Sequence, residues 1–244
     1  MDYQKFIEQL PHLYENWGQE SIRPKSQKFQ EILDGVEGMT TDNIMQLLNC
    51  AVGCMEPDEI YCEVGSYQGK TLIGALLDRP GTISYAIDNF SEFNPRGNNQ
   101  EKLQEHLNQY NLTQQVRFYN QDFEEFFWEQ QANGFNKKIG VYLYDGPHDY
   151  RSQMVGLLLV KPFLSPQALL IVDDANYADV QQADCDFVAA HPECNLLLER
   201  LTPENYYSTF WNGIHLLSWD VEKSHERSHP LERIDACQLN AEIQ

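Results

Sequence analysis

The sequence predicts a doubly wound α/β domain, with a mostly parallel seven-stranded sheet, an antiparallel last strand and a helical cap in front of it. Three observations predict this. From Ile60 onward, short β-branched or aromatic runs alternate with longer stretches of helical period, as repeated β-α units do. Gly or Pro punctuates most of the turns between them. The last two apolar runs are separated only by residues 201–212, with no helical segment, so they pair as an antiparallel hairpin rather than through a crossover.

Taken in order, the strands are expected at 60–64, 82–88, 115–119, 138–144, 168–172, 195–200 and 213–219. Ile60-Tyr61-Cys62-Glu63-Val64 opens the sheet and breaks at Gly65, and Ile171-Val172 ends the fifth run just before two aspartates. Helices fill the gaps between the first six strands, at 70–78, 99–110, 123–131, 150–163 and 176–190. Before Ile60 the spans 2–10 and 41–54 read as helices, whereas 11–26 carries Trp17, Pro24 and few periodic signals. The chain therefore divides into a cap at 1–57, a core at 58–220 and a polar tail at 221–244, which is solvated or loosely docked and belongs to the same single domain.

A length of 244 residues with 42% hydrophobic content suits one large domain. The formal net charge of -20 opposes polyphosphate backbones and anionic bilayers, because binding to these relies on clustered Lys and Arg. Nucleic acid and membrane are accordingly not expected as partners, while a cationic cofactor or a metal ion is favoured at long range. The six cysteines show neither zinc-ligand spacing nor a secreted disulfide framework, and Cys50 and Cys54, one helical turn apart, have no second Cys or His pair nearby. With no leader and no bilayer-length apolar run, a cytoplasmic protein is expected. Self-association into a homo-oligomer is compatible with this reading.

The first strand runs into Cys62-Glu63-Val64-Gly65-Ser66-Tyr67-Gln68-Gly69-Lys70-Thr71, an acid followed by two glycines four apart where strand becomes helix. Glycine lets a ligand approach the backbone, and the helix start offers free N–H groups. The spacing is Gly-x-x-x-Gly, not the Gly-x-Gly-x-x-Gly of dinucleotide sites, and the Glu63 carboxylate suits an ammonium and opposes a pyrophosphate. Asp88, ending the second strand, can accept both hydroxyls of a ribose, and Asp122-Phe123 after the third offers a carboxylate for an exocyclic amine and a ring face for a purine. Each acid also has a structural use, Asp88 in a turn and Asp122 as a helix N-cap.

As an ordered set over 60–219, these features resemble the class I methyltransferases that depend on S-adenosylmethionine, with their Rossmann-like sheet and terminal hairpin. The resemblance implies cofactor contact from Glu63, Gly65, Ser66, Gly69, Asp88 and Asp122.

The fourth strand leads into Tyr144-Asp145-Gly146-Pro147-His148-Asp149-Tyr150 and the fifth into Asp173-Asp174-Ala175-Asn176. Adjacent parallel strands put their carboxyl ends side by side, so Asp145, Asp173 and Asp174 can converge. Three carboxylates repel one another unless a cation neutralises them, and hard oxygen ligands suit Mg²⁺, Mn²⁺ or Ca²⁺. Such an ion would acidify a substrate hydroxyl, and His148 can take its proton. The arrangement resembles the metal-dependent O-methyltransferases, and more closely their sugar and macrolide tailoring branch (methyltransferase 24-like). That resemblance implies Asp145, Asp173 and Asp174 as ligands of a divalent metal, magnesium foremost, and His148 with Asp145 as the catalytic pair acting on a small hydroxylated molecule.

Other readings stand beside it. Asp145 and Asp149 also suit caps of the next helix, Asp173 and Asp174 a polar turn, and His148 the surface. The aromatics of 203–211 suit a pocket wall or simple packing beneath the hairpin, and 90–96 a second wall. A nicotinamide-dependent oxidoreductase shares the sheet and an acid at Asp88, and a non-catalytic cofactor-binding module shares everything but turnover.

Overall fold

Central strands that are apolar at nearly every position must be covered on both faces, and this chain covers them with helices from both ends of the sequence. The structure is a computed structural model that describes residues 1–135 and 137–223. The N-terminal part folds as α1 (Tyr3–Gln9), a 3-10 turn, a small hairpin of β1 (Tyr14–Glu15) and β2 (Arg23–Pro24), then α2 (Gln30–Gly35) and α3 (Asp42–Val52). Five β-α units follow: β3 (Glu59–Val64), α4 (Lys70–Leu76), β4 (Ile83–Ile87), α5 (Asn99–Gln109), β5 (Val116–Tyr119), α6 (Phe123–Asn133), β6 (Lys138–Tyr144), α7 (Tyr150–Val160), β7 (Leu164–Asp173) and α8 (Ala178–Ala190). The hairpin of β8 (Cys194–Arg200) and β9 (Ile214–Asp220) completes the sheet.

The strand order is β5-β4-β3-β6-β7-β9-β8, parallel from β5 to β7 and antiparallel at β9, which lies between β7 and β8. The chain therefore winds one way from β3 through β5 and the other way from β6, so the order reverses between β3 and β6. Val64 pairs with Ile87 on one side and Tyr144 on the other, Ile87 with Tyr119, and Tyr144 with Val172. Five strand ends are thus level. Beyond them the ladder continues into the turns: Gly65 N–H donates to Ile87 O, Asp88 N–H to Tyr119 O and Asp145 N–H to Val64 O.

One face of the sheet packs against the cap, α4 and α5, through Tyr61, Val141, Leu143, Leu169 and Ile171. The other packs against α6, α7 and α8, through Ile60, Cys62, Tyr142, Tyr144 and Leu170. Burying side chains of this size contributes roughly 1.5–3 kcal/mol each. The strands and the five later helices lie where the sequence places them, with shifted ends. Strand β7 begins earlier than expected because Leu164 already pairs with Ile139. Helix α8 begins later because Asn176 is turned away to bond Thr202.

The cap is more built than its sequence pattern announces. Ten of the eleven residues of α3 are buried, and Asn49 on its inner face donates to the carbonyls of Gly74, Ala75 and Leu77, the open end of α4. Helix α2 and the β1–β2 hairpin were not expected, because two-residue strands and a six-residue helix carry too little period to be read. Of the polar tail, residues 224–244 lie outside the described residues. No helix among the described residues is long and apolar enough to cross a membrane.

Behind the sheet's carboxyl edge lies a buried charge network. His215 on β9 binds Asp184 of α8 through Nδ1 at 2.8 Å, Glu199 of β8 lies 3.3 Å from Nε2, and Gln153 of α7 donates to the other Asp184 oxygen at 2.8 Å. Burial pulls the imidazole down, but the bonds to Asp184 and Glu199 win and lift it to about 9. Burial lifts Asp184 as well, against the opposing pull of His215 and Gln153. Since His215 titrates near 6.5 when unfolded, its contribution is complete below that pH and is lost as the pH rises through about 9. The thermal midpoint should therefore fall between pH 7 and about 9.5, and His215→Gln should be less stable at pH 7 and lose much of that slope. A variant with an unaltered pH profile would remove the network from the stability account.

Candidate active site

The level strand ends put Gly65, Asp88, Asp145 and Asp173 in one row, each the first residue past the last aligned rung or the rung itself. Above them lies a cleft of about 300 Å³. Gly65 has φ +86°, and a Cβ there would run into the carbonyl of Asp145, so only glycine lets the first and fourth turns approach this closely. Gly69 has φ +90° and sits against Leu103 of α5, where it shapes the turn without lining the cleft.

On the β4 side, Asp88 is held by two backbone amides, accepting from Phe90 N–H and Tyr67 N–H, both at 2.7 Å. Each carboxylate oxygen keeps a second acceptor position. Burial pushes this carboxyl up, with the two amides pulling the other way. Asp122 caps α6 by accepting from Glu124 N–H, the structural use expected of it, and also lines the cleft. Ser66 lines it too.

Glu63 is placed differently. It is fully buried beneath the turn, accepting from Tyr61 Oη at 2.5 Å and from Thr71 Oγ1 at 2.9 Å, and does not line the cleft. Burial drives its carboxyl up to about 7 even against these bonds. The contact expected from it thus gives way to a brace that ties the end of β3 to the first turn of α4.

On the β6–β7 side the acids gather. Asp173 and Asp174 are buried, and Asp145 keeps some exposure to the cleft. Burial first, and then the charges of Asp173 and Asp174, push Asp145 far above the usual carboxylate range; burial and Asp174 do the same to Asp173. Asp174 has φ +62° and is turned onto two partners: Asn212 Nδ2 donates to Oδ1 at 2.5 Å, and His148 Nε2 lies 2.9 Å from Oδ2. The His148 ring is stacked on Tyr177, centroids 5.3 Å apart and 4° from parallel. Asn212 also accepts from Tyr206 N–H, which ties the 203–212 loop to the aspartate. The aspartates, His148, Asp88 and Asp122 therefore share one cleft.

These carboxylates are the seat expected for the divalent metal. Their chemistry fits: three hard oxygen donors stand at the ends of two neighbouring strands, with Asp173 Oδ1 buried and without a hydrogen-bond partner. As placed, however, no group of three His, Cys, Asp or Glu side chains among the described residues stands close enough to hold one. A cation at Asp174 would compete with His148 and Asn212.

The cleft also contains residues that sequence reasoning missed. Gly38, Met39 and Thr40 enter from the cap, Lys70 from the start of α4, and Tyr177 and Asn212 from the β7–β9 side. Lys70 was legible as the residue after the second glycine. Phe93, Tyr206 and Trp211, expected as walls, line the cleft as well, with Phe93 61% and Tyr206 67% exposed at its rim.

Residues 62–175 match a family described as a methyltransferase domain. No curated protein matches the chain. Among solved structures the chain is similar to the O-methyltransferase of Bacillus cereus in complex with SAH, at 11% identity over 81% of this chain and 92% of that one, TM-score 0.60. It is also similar to the O-methyltransferase TomG of Streptomyces achromogenes, involved in tomaymycin synthesis and solved with SAM, at 11% identity over 80% and 91%, TM-score 0.59. The resemblance to class I methyltransferases and the Rossmann-like fold read from the sequence both hold, and the nicotinamide alternative is not favoured.

The close approach at Gly65 is directly testable. Gly65→Ala should lower stability by about 1–3 kcal/mol from its left-handed backbone alone, and further from the clash with the Asp145 carbonyl, read as a drop in thermal midpoint. An unchanged midpoint would show that the two turns are not in contact.

Proposed function

We propose that the methyltransferase domain spanning residues 62–175, completed by its neighbours, moves the methyl group of S-adenosylmethionine to a hydroxyl oxygen of a small molecule. The observation that carries this reading is the His148–Asp174–Asn212 chain, set beside Asp145 and Asp173 in the same cleft as Asp88 and Asp122. One end of the cleft offers acceptors for ribose and adenine. The other offers an oriented base.

In this proposal the hydroxyl oxygen forms a bond to the methyl carbon as the carbon–sulfur bond breaks, the sulfur keeping the electron pair. The proton goes to His148. With its Nε2–H given to Asp174, the imidazole lone pair rests on Nδ1, and the aspartate steadies the imidazolium that forms. Asn212 holds Asp174 in turn, so a base on a turn is fixed through three side chains. Tyr177 stacked on the ring limits its rotation, which matters because an in-line displacement depends on a narrow range of approach. Acid-rich walls favour a sulfonium donor over its neutral product, which helps turnover.

A divalent cation held by Asp145 and Asp173, with Asp174 left to His148 and Asn212, would supply charge that lowers the pKa of the acceptor hydroxyl. The orphaned Asp173 oxygen supports that part of the reading. The cleft's volume and acidity support a small acceptor and oppose a polyanionic one.

Three outcomes test the proposal. His148→Gln should cut kcat by about 10²–10⁴-fold with SAH affinity unchanged in calorimetry, and undiminished turnover would discard the base. Asp88→Ala should weaken SAH binding by about 2–3 kcal/mol, and an equal dissociation constant would free Asp88 from the ribose role. Methyl transfer should fall on treatment with EDTA and recover with Mg²⁺ or Mn²⁺; full activity in chelator would leave His148 to act without a metal.

A further inference from the structure

We propose that Lys70, with Thr40 of the cap, binds the carboxylate of the cofactor's amino-acid end, an inference that rests on the S-adenosylmethionine reading of the cleft. The case begins with charge. Asp88, Glu92, Asp122, Asp145, Asp173 and Asp174 all line the cleft, and among its described lining residues Lys70 is the one lysine or arginine. The sulfonium and ammonium of S-adenosylmethionine are at home among such acids. Its carboxylate is not, and a carboxylate entering a field of like charges needs a local cation.

Lys70 is placed to be that cation. It follows Gly69 at the head of α4, on the turn that begins at Gly65, and is half-buried. Desolvation pulls its ammonium down from the ordinary lysine value, while Asp34 and Glu37 pull it up. Its hydrogen bond in the cleft is a long one, Nζ to the carbonyl of Gly38 at 3.4 Å, so its donors are poorly used. Two residues further along the same cap loop, Thr40 Oγ1 is buried without any hydrogen-bond partner, in a residue that lines the cleft and is 7% exposed. A buried hydroxyl left unpaired is unfavourable unless a ligand completes it. The ammonium and the hydroxyl, offered from α4 and from the cap, make a two-donor seat for one carboxylate.

The seat also gives the cap a part in cofactor binding. Thr41, next to Thr40, caps α3 through Ile44 N–H and donates to Thr209 O in the 203–212 loop. A carboxylate at Thr40 and Lys70 therefore draws on the same loop junction that leads to Tyr206 and Asn212.

The test separates this inference from the reading beneath it. SAH and its decarboxylated analogue are titrated by calorimetry into wild-type protein, Lys70→Met and Lys70→Arg, each checked for an unchanged circular dichroism spectrum and thermal midpoint. The wild type should prefer SAH, Lys70→Met should weaken SAH by about tenfold or more while leaving the analogue within about twofold, and Lys70→Arg should recover most of the loss. Thr40→Val should weaken SAH in the same selective way. If Lys70→Met binds SAH as tightly as the wild type, or loses both ligands equally, Lys70 does not hold the carboxylate although the cofactor reading stands. Wild-type protein that binds neither nucleoside would overturn the cofactor reading and this inference with it.

Discussion

Everything at the candidate site depends on the register of parallel strands. Because Val64, Ile87, Tyr119, Tyr144 and Val172 stand level, the residues that follow them emerge at one height on one edge of the sheet. In a parallel ladder a slip of one residue turns every side chain to the opposite face. Such a slip in β6 alone would exchange the faces of Tyr142 and Leu143, two fully buried side chains in different cores, and carry Asp145 away from Asp173. Core packing thus enforces an alignment that serves the acids, although the acids themselves gain nothing from it.

The acids are an expense to the fold. Asp145 is pushed far above its ordinary titration by burial and by Asp173 and Asp174, Asp173 by burial and by Asp174, and Asp173 Oδ1 has no partner. Backbone strain collects in the same place: of the nine non-glycine residues with positive φ among those described, Tyr67, Phe93, Asp174, Tyr206 and Trp211 line the cleft. Conformations of this kind persist where surrounding structure over-determines them, and they concentrate at sites of function. The surroundings here are the two apolar cores and the brace of Tyr61, Glu63 and Thr71 under the glycine turn.

Much of this was legible in the residues. The alternation of apolar runs gave the sheet and its five crossover helices, and the short link before the last run gave the hairpin. The aspartates after β6 and β7 could be foreseen to share an edge, since adjacency of those strands follows from the doubly wound order. What the sequence could not show was side-chain direction at the ends of strands. Glu63 was expected to meet the cofactor, but it lies two residues from Tyr61 and so shares its face, which α3 and α4 cover. Asp174 was expected to point with Asp173; its left-handed backbone turns it to His148 and Asn212 instead. The cap's share of the cleft was hidden for another reason. Gly38, Met39 and Thr40 reach it through tertiary packing of α3 against α4, and no local pattern encodes that contact.

A structure of the protein with SAH bound tests the central claim most directly. The account predicts the ribose hydroxyls at Asp88, the adenine beside Asp122 and Phe123, and the sulfur facing Asp145, with His148 across the remaining space. SAH bound elsewhere on the molecule, or lying in the cleft with its sulfur turned away from the ends of β6 and β7, would contradict it.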